Sequence, residues 1–292
     1  MREITQRGAL YSGASIMLAG IAVWWGTTSA EADVLTMLSS ADVQLRMAYT
    51  IPEYDRDGAR IEEREALIDA AVGHLADVER LQPGLAVTAE FRGFAHMLRG
   101  RFLEAADCYR QARACDDCED EQFDVLAFNE ARMLAKAGSR ERALAVFASH
   151  GEALDARWGH QRALEEATIL RELGRRADAI ARLDPVLRDG AAMPMARLQA
   201  GREYLELGLF DQAGELLLAV REELPIADYH LARLKLRQGD VDTCFELLSR
   251  ATESRPTEVR RMLRDEAEAW SDVAEDPRFI GLTEPVPASP GR

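Results

Sequence analysis

The sequence predicts an all-α fold made of helical hairpins in tandem, and three observations lead to this prediction. Two stretches fit one 34-residue frame, with small residues at frame positions 8 and 20 and a Pro or polar break near position 32. Glycines recur between paired helical segments at shrinking intervals, at Gly100, Gly138, Gly174, Gly208 and Gly239. A small residue follows each glycine on the second segment, at Ala105, Ala143, Ala179, Ala213 and Cys244. Hairpins of this kind bury their apolar faces by stacking on one another into a solenoid.

The recurring glycines and small residues have a physical reason. Glycine suits the end of a helix because the chain must leave it in a left-handed conformation. A methyl-sized side chain on the second helix lets the adjacent helix approach closely, whereas a leucine would push it away. We therefore expect a tight turn at each glycine and a helix contact at each small residue.

Residues 33–85 are expected to form a helical pair that is a divergent first repeat or an amino-terminal cap. Helices are predicted over 35–50 and 61–81, with Pro52 and Gly58 in the break between them and Pro83 after the second. The apolar residues of the second helix keep a helical spacing, at Leu67, Ala71, Leu75 and Val78.

Residues 86–258 are expected to hold five repeats, followed by a capping helix over 259–282. The repeats are placed at 86–119, 124–157, 160–193, 194–227 and 225–258. Residues 283–292 contain three prolines and little apolar content, so we expect a disordered tail.

The 34-residue frame resembles the tetratricopeptide repeat, a family of helical-hairpin repeats. The resemblance extends over about residues 60–282. The matching residues are Gly93, Ala105, Tyr109 and Ala112 in one repeat, and Gly201, Tyr204, Gly208, Ala213 and Pro225 in another. The segment from Trp270 through Asp276-Pro277-Arg278-Phe279 to Leu282 resembles the half-repeat that closes many bacterial arrays of this family. The resemblance implies a surface that holds other proteins and is not an enzyme.

In that family the first helix of each repeat lines a concave groove. Carried onto this chain, the groove residues are Phe94, Phe128, Arg132, Arg171, Arg202, Tyr229, Arg233 and Arg237. Arginine binds carboxylates bidentately, and the neighbouring apolar side chains would offer pockets. The resemblance thus implies a groove for a peptide with acidic and hydrophobic residues. The alternative is that the arginines pair with Glu172, Glu203 and Glu206 on the same helices.

The amino-terminal residues 1–32 predict a membrane anchor or a signal peptide. Residues 8–30 carry no charged side chain, with Arg2 and Arg7 before them and acidic residues after them. This length spans a bilayer, and the preceding arginines predict an amino terminus on the inside. Small residues fall on one helical stripe that could meet another transmembrane helix, at Gly8, Ser12, Ser15, Ala19, Ala22 and Gly26. The alternative is cleavage at Ala30-Glu31-Ala32 by signal peptidase, which would release a soluble periplasmic protein.

The composition limits the partners. The chain has 292 residues and a net charge of −15, which argues against a nucleic-acid partner because such proteins need a basic surface. Only Lys136 and Lys235 are lysines among 36 basic residues, a bias typical of GC-rich bacterial genomes. We therefore expect a bacterial inner-membrane protein with a single span and its repeats in the periplasm.

Two short motifs carry potential chemistry. Cys115 and Cys118 form a CxxC motif, for which the hypotheses are a disulfide, inert thiols or a thiol redox factor. Haem attachment would need a histidine where Glu119 stands. Glu53, Asp55 and Asp57 resemble half of a calcium loop, but Arg60 stands where an aliphatic residue belongs and Arg64 where the last ligand belongs. No metal or cofactor is expected.

Taken together, these features predict a membrane-anchored extracytoplasmic scaffold or adaptor. It would act as an accessory or assembly subunit of a membrane protein complex, through its groove and its anchor helix. The alternatives are a cleaved, soluble periplasmic binding or chaperone module and a thiol redox factor.

Overall fold

A computed structural model of the chain describes residues 29–51 and 59–283, and every regular element in these ranges is helical. The helices are α1 (Ser29–Thr50), α2 (Ala59–Leu81), α3 (Ala86–Leu98), α4 (Phe102–Arg113), α5 (Asp120–Lys136), α6 (Arg140–Ser149), α7 (Gly151–Glu172), α8 (Arg176–Arg188), α9 (Pro194–Glu206), α10 (Phe210–Val220), α11 (Ala227–Arg237), α12 (Val241–Ser254), α13 (Pro256–Asp265), a 3-10 helix (Ala267–Val273) and α14 (Pro277–Thr283). The predicted all-α fold is confirmed.

The chain divides into two compact units, Met1–Trp158 and Gly159–Arg292. In the first unit α1 contacts α2, and α3, α4, α5 and α6 contact one another in chain order. In the second unit the same sequential contacts run from α8 to α13. Trp158 has φ −135° and ψ 32°, so α7 is interrupted at the last residue of the first unit. Paired helices packed in chain order are consistent with a helical-repeat architecture.

The connections between paired helices are made by glycines in the left-handed region. The φ values are 68° at Gly100, 78° at Gly138, 73° at Gly174, 71° at Gly208 and 82° at Gly239. The expected left-handed turns are confirmed at all five positions. The five matching small residues, Ala105, Ala143, Ala179, Ala213 and Cys244, are fully buried, as the expected helix contact requires.

Two further glycines allow the closest approach of paired helices. A Cβ atom on Gly93 of α3 would lie 2.8 Å from the Tyr109 ring of α4. A Cβ atom on Gly201 of α9 would lie 2.8 Å from Leu217 Cγ of α10. Both distances are too short for van der Waals contact, so each glycine sets the spacing of its hairpin.

Side chains also link successive hairpins at a nearly constant separation along the sequence. Gln122 of α5 donates to Glu90 of α3 at 2.7 Å, across 32 residues. Arg171 of α7 donates to Glu203 of α9 at 2.8 Å, again across 32 residues. The Arg237 guanidinium donates to the Leu205 carbonyl at 2.6 Å with the same separation. These bonds therefore recur at about the length of one hairpin.

The carboxyl-terminal helices close the core of the second unit. Trp270 is fully buried with Val273 and Phe279, in one apolar cluster with residues of α10 to α12. Its indole N–H donates to the Tyr229 hydroxyl at 3.2 Å. Arg278 pairs with Asp242 of α12 at 2.9 Å and lies 4.1 Å from the centre of the Phe245 ring. The 3-10 helix and α14 thus cover an apolar face of the preceding helices.

Several predictions fall on parts of the chain outside the described residues. These are residues 8–28 of the anchor with its stripe of small residues, the acidic residues of the calcium-like motif, and the tail beyond Thr283, whereas Ser29 and Ala30 begin α1. Among the helices that the structure describes, none has the length and apolar character to cross a membrane.

Candidate partner-binding surface

Four of the predicted groove residues are arginines on the first helices of three hairpins in the second unit. We call Arg171 on α7, Arg202 on α9, and Arg233 and Arg237 on α11 the arginine row. Sequence repetition placed them there, because they occupy similar positions in successive first helices. Their surroundings differ, and this difference decides which of them could meet a partner.

Three arginines of the row are engaged by acidic side chains. Arg171 bonds Glu203 at 2.8 Å. Burial acts to lower the pKa of Arg171, but the hydrogen bond and charge of Glu203 outweigh it and raise that pKa. The Arg237 guanidinium lies 4.0 Å from Glu206 and 5.4 Å from the centre of the Phe210 ring. Both arginines therefore pair with glutamates named in the alternative, Glu203 and Glu206, but on a neighbouring helix and not on their own.

Arg233 joins α11 to two other elements. It contacts Glu206 of α9 at 2.8 Å and Glu266, which follows α13, at 3.0 Å. Glu266 also accepts from the Tyr229 hydroxyl at 3.1 Å. Because its side chain is only 13% exposed, Arg233 acts chiefly as a bridge inside the unit.

Arg202 differs from the other members of the row. It is exposed, and it forms no hydrogen bond or ion pair with any residue in the described part of the chain. Its positive charge is felt by His230, whose pKa is lowered well below its ordinary value by burial first and by Arg202 and Arg233 next. Arg202 is therefore the member of the row with its full hydrogen-bonding capacity open to an anionic group.

The three aromatic residues predicted for the groove lie in the core instead. Phe94 is 7% exposed, Phe128 3% and Tyr229 0%. Phe94 contacts the Tyr49 ring, and Phe128 is stacked on Trp158 with their centroids 5.4 Å apart. The expectation that these rings offer pockets is corrected, because the chain's own side chains already cover them.

Arg132, the remaining predicted groove residue, lies in the first unit. Its guanidinium carbon is 5.9 Å from the centre of the Phe128 ring. The predicted groove residues are thus four row arginines in one unit, Arg132 in the other, and three buried rings. Their role in binding a partner stays a prediction.

The two cysteines of the CxxC motif are thiols in the turn between α4 and α5. The Cys115 thiol donates to the Gln111 carbonyl at 3.4 Å, and the Cys118 thiol contacts the Glu119 carbonyl at 3.8 Å. Partial burial first, and then the negative charge of Asp117, raise the pKa of both thiols. A redox catalyst needs a thiolate at neutral pH, so this environment opposes the thiol redox hypothesis. Disulfide formation itself stays a prediction.

Two buried ion-pair clusters were not singled out in the sequence. In the first unit Arg113 contacts the buried Glu130 and lies 2.7 Å from the His150 ring. In the second unit the buried Glu166 contacts Arg162 at 3.1 Å and Arg182 at 2.9 Å. Glu130 and Glu166 lie 36 residues apart, each just before a buried alanine, so their recurrence was the signal that could have revealed them. Both clusters join neighbouring helices within their unit.

Among the described residues, no three side chains of the metal-binding types come together as a set of ligands. The comparisons with known proteins add no identification. No family model matches the chain, and a search of curated proteins finds no similar sequence.

Proposed function

We propose that this protein is a tetratricopeptide-like scaffold that binds a protein partner through the arginine row of its second unit. The observation that carries the proposal is Arg202, an exposed guanidinium with no ion-pair partner in the described chain. Successive first helices bring it into a surface already linked by Arg171, Arg233 and Arg237. Stacked hairpins of this kind generally serve as binding surfaces.

The expected partner presents a carboxylate to Arg202. A guanidinium offers two parallel N–H donors that match a carboxylate, and Arg202 has no ion pair within the described chain to break first. The chain as a whole carries 51 acidic and 36 basic residues, so an acidic partner would be repelled elsewhere on the surface. This opposition favours a short acidic segment, which can meet Arg202 without approaching the acidic surface.

The proposal includes the amino-terminal anchor. An uncharged stretch over residues 8–30 would place the repeats outside the cytoplasm of a bacterium and hold them at the inner membrane. Its stripe of small residues would dock on the transmembrane helices of the same complex. Two weak contacts on one complex give a higher overall affinity than either gives alone. The protein would then act as an accessory or assembly subunit.

A second candidate is a soluble periplasmic binding or chaperone module. The Ala30-Glu31-Ala32 sequence favours it, because signal peptidase cleaves after such small residues. Fractionation of cells followed by sequencing of the amino terminus separates the two. The anchored form has an intact amino terminus in the membrane fraction, and the cleaved form begins near Asp33 in the soluble fraction.

The binding proposal is tested with a charge reversal at Arg202. The tagged full-length chain is purified from detergent-solubilised native membranes, and the retained proteins are quantified by mass spectrometry. We expect Arg202→Glu to lower the amount of the main retained partner at least tenfold, about 1.4 kcal/mol, which is within the range of one lost charged contact.

The matched control is Arg261→Glu on α13, another exposed arginine of the same unit outside the row. It makes the same charge change and should leave retention unchanged. Arg233 is a poor site for the test because its reversal would also break the bridge to Glu206 and Glu266. Equal retention by the wild type and Arg202→Glu would refute the role of the row.

A further inference from the structure

The Cys115–Cys118 segment is a hydrogen-bonded β-turn. The Cys118 N–H donates to the Cys115 carbonyl at 3.1 Å, which is the bond that closes a four-residue turn. In such a turn the first and last Cα atoms lie within about 7 Å of each other, the upper limit for a disulfide. Both cysteines are partly exposed, so an oxidant in solution can reach them.

The other two cysteines are less favourable partners for Cys115. Cys108 and Cys115 are seven residues apart, and a helical rise over that length is about 10 Å, beyond the reach of a disulfide. Cys244 belongs to the second unit and is fully buried in its core. Its pKa is raised by burial to about 11, so it is a poor nucleophile. Cys115 and Cys118 are therefore the pair that a single hydrogen-bonded turn holds close together.

The turn between these cysteines also holds the start of another helix. Asp117 Oδ1 accepts a hydrogen bond from the Ala86 N–H at 3.0 Å. Ala86 is the first residue of α3, whose amino-terminal N–H groups have no partner within the helix. Leu85, at the N-cap position, supplies no side-chain hydrogen bond. Asp117, in the connection between α4 and α5, therefore serves as the cap of α3.

The capped junction is reinforced a turn further along α3. Glu90 accepts from Gln122 of α5 at 2.7 Å, so α3 is held at one point by α5 and at another by the turn that carries Asp117. Moving the turn would move Asp117 away from Ala86. The conformation of the turn over residues 115–118 thus controls the hydrogen bond by which Asp117 holds the start of α3.

We propose that Cys115 and Cys118 are a reversible dithiol–disulfide modification site, and that the disulfide fixes Asp117 as the cap of α3. The disulfide restricts the turn to conformations close to the one in the structure. The reduced turn is free to open, and α3 then loses its cap. This inference concerns the first unit and does not depend on the arginine row.

The oxidation balances with a disulfide as the oxidant. One cysteine thiolate attacks a sulfur of oxidised glutathione, forms a mixed disulfide and releases one glutathione thiolate. The second cysteine then attacks the protein sulfur of the mixed disulfide and releases the second glutathione. Two protein thiols become one disulfide, one glutathione disulfide becomes two thiols, and the two protons pass through water to the glutathione thiolates.

Burial first, and the acidic surroundings next, slow this exchange. Burial and the charges of Asp117 and Asp116 raise the pKa of Cys115, and burial and Asp117 raise that of Cys118. Little thiolate is present at neutral pH, so thiol–disulfide exchange is slow. Such a site stays reduced or oxidised for a long time after each change in the surrounding redox conditions. Repeated catalytic turnover would need the opposite environment.

The test uses the full-length protein in detergent, equilibrated with reduced and oxidised glutathione at a series of ratios. Acid quenching, alkylation and peptide mass spectrometry give the fraction of the Cys115–Cys118 disulfide at each ratio. Amide hydrogen exchange at Ala86 is then compared between the fully oxidised and fully reduced protein. We expect an intramolecular disulfide at these two positions, with Cys108 and Cys244 still alkylated, and exchange at Ala86 about fivefold slower in the oxidised form.

Two variants control the exchange measurement. With Cys115→Ser and Cys118→Ser combined, exchange at Ala86 should no longer depend on the glutathione ratio. With Asp117→Ala, the disulfide should still form, while exchange at Ala86 is fast in both redox states.

The proposal is overturned by any of three results. All four thiols could remain alkylated at every glutathione ratio, or Cys108 could be found in the disulfide. The disulfide could also form without changing exchange at Ala86 in the wild-type protein.

Discussion

At the residue scale, two glycines inside helices set how closely the paired helices approach. Gly93 and Gly201 each face a large buried side chain at a distance that leaves no room for a methyl group. Tyr109 and Leu217 are themselves almost fully buried, so neither can turn away without opening the core. Other helical glycines lack this constraint, which makes them useful comparisons.

Adding a methyl group at Gly201 should therefore destabilise the second unit. We expect Gly201→Ala to lower the free energy of unfolding by about 1–3 kcal/mol, because overpacking forces the facing helices apart. The matched control is Gly214→Ala in α10, where the new methyl would lie 3.8 Å from Leu234. That change should be neutral or stabilise by up to about 1 kcal/mol through helix propensity.

The same comparison is available in the first unit, with Gly93→Ala as the test and Gly73→Ala in α2 as its control. No atom lies within 4 Å of a methyl group added at Gly73. Urea denaturation measures all four variants. A Gly93→Ala or Gly201→Ala variant as stable as its control would contradict the assigned contact.

His230 makes the second unit sensitive to acid. It is 2% exposed, and burial, Arg202 and Arg233 all lower its pKa, while the Tyr229 ring stands edge-on to it at 5.2 Å. A histidine with a lowered pKa in the folded state stabilises the fold above its unfolded pKa, and that contribution is lost as the pH falls towards the folded pKa. The loss sets in as the pH falls through the unfolded pKa of about 6.5 and grows as the pH falls further.

This acid sensitivity is measured as the change in unfolding free energy between pH 7 and 5.5. The variant His230→Asn cannot gain a proton in this range, so its change should be smaller than that of the wild type by about 1 kcal/mol. His96 and His150 also have lowered pKa values, but they remain in both proteins and cancel in the comparison. An identical pH dependence would show that His230 is not held neutral.

At the element scale, the closing helices are the part of the second unit with the clearest sequence signal. The residues from Trp270 to Leu282 resemble a capping half-repeat, and the structure places Trp270 and Phe279 in the apolar cluster of that unit. The indole donates to Tyr229, which in turn donates to Glu266. One side chain therefore combines apolar burial with a hydrogen-bond chain.

Removing that side chain should open the end of the unit. We expect Trp270→Ala to cost about 3–5 kcal/mol of unfolding free energy, from lost burial and the cavity left behind. Trp270→Phe keeps most of the apolar ring and should cost less, because the lost hydrogen bond contributes only about 1 kcal/mol. Ile280→Ala is the control, since Ile280 is exposed on α14, and its cost should stay within about 0.5 kcal/mol. Equal losses of unfolding free energy for Trp270→Ala and Ile280→Ala in denaturant titrations would contradict a capping role for Trp270.

The turns between helices could be predicted from the sequence, and the exposed face of each first helix could not. Gly100 and Gly208 identify left-handed turns, because other residues rarely adopt that backbone conformation. The groove assignment of Phe94, Phe128 and Tyr229 depended on the register of each repeat. One residue of register error rotates a side chain by about 100° around the helix, which exchanges a surface position for a buried one.

The charge pairing of the arginine row was also only partly visible in the sequence. Glu203 and Glu206 lie on the same helix as Arg202, and they were natural candidates to pair with it. The structure instead pairs them with Arg171, Arg233 and Arg237 from neighbouring hairpins. Pairing between residues about 30 apart depends on tertiary contacts, which local sequence spacing does not report.

At the scale of the whole molecule, the acidic surface and the arginine row have opposite effects on association. Many arginines are used in ion pairs between or within helices, as at Arg99, Arg113 and Arg221. The excess of 51 acidic over 36 basic residues keeps the surface negative. Such a charge limits nonspecific association, so a partner bound at Arg202 has to be recognised by local contacts.

The proposed anchor would add a second point of attachment. A partner held both at the membrane and at the arginine row stays bound when either contact opens briefly. The repeats then need only moderate affinity for the acidic segment of the partner. Under this proposal, loss of residues 1–32 should weaken partner binding even though the arginine row is intact.

The most direct test of the central claim is photo-crosslinking in living cells of the native source. A photoreactive amino acid is placed at position 202 in one full-length variant and at position 261 in another, and the membrane fraction is analysed after irradiation. We expect a discrete adduct with one protein at position 202, and none with that protein at position 261. The absence of an adduct at position 202, or the same adducts at both positions, would contradict a partner-binding role for the arginine row.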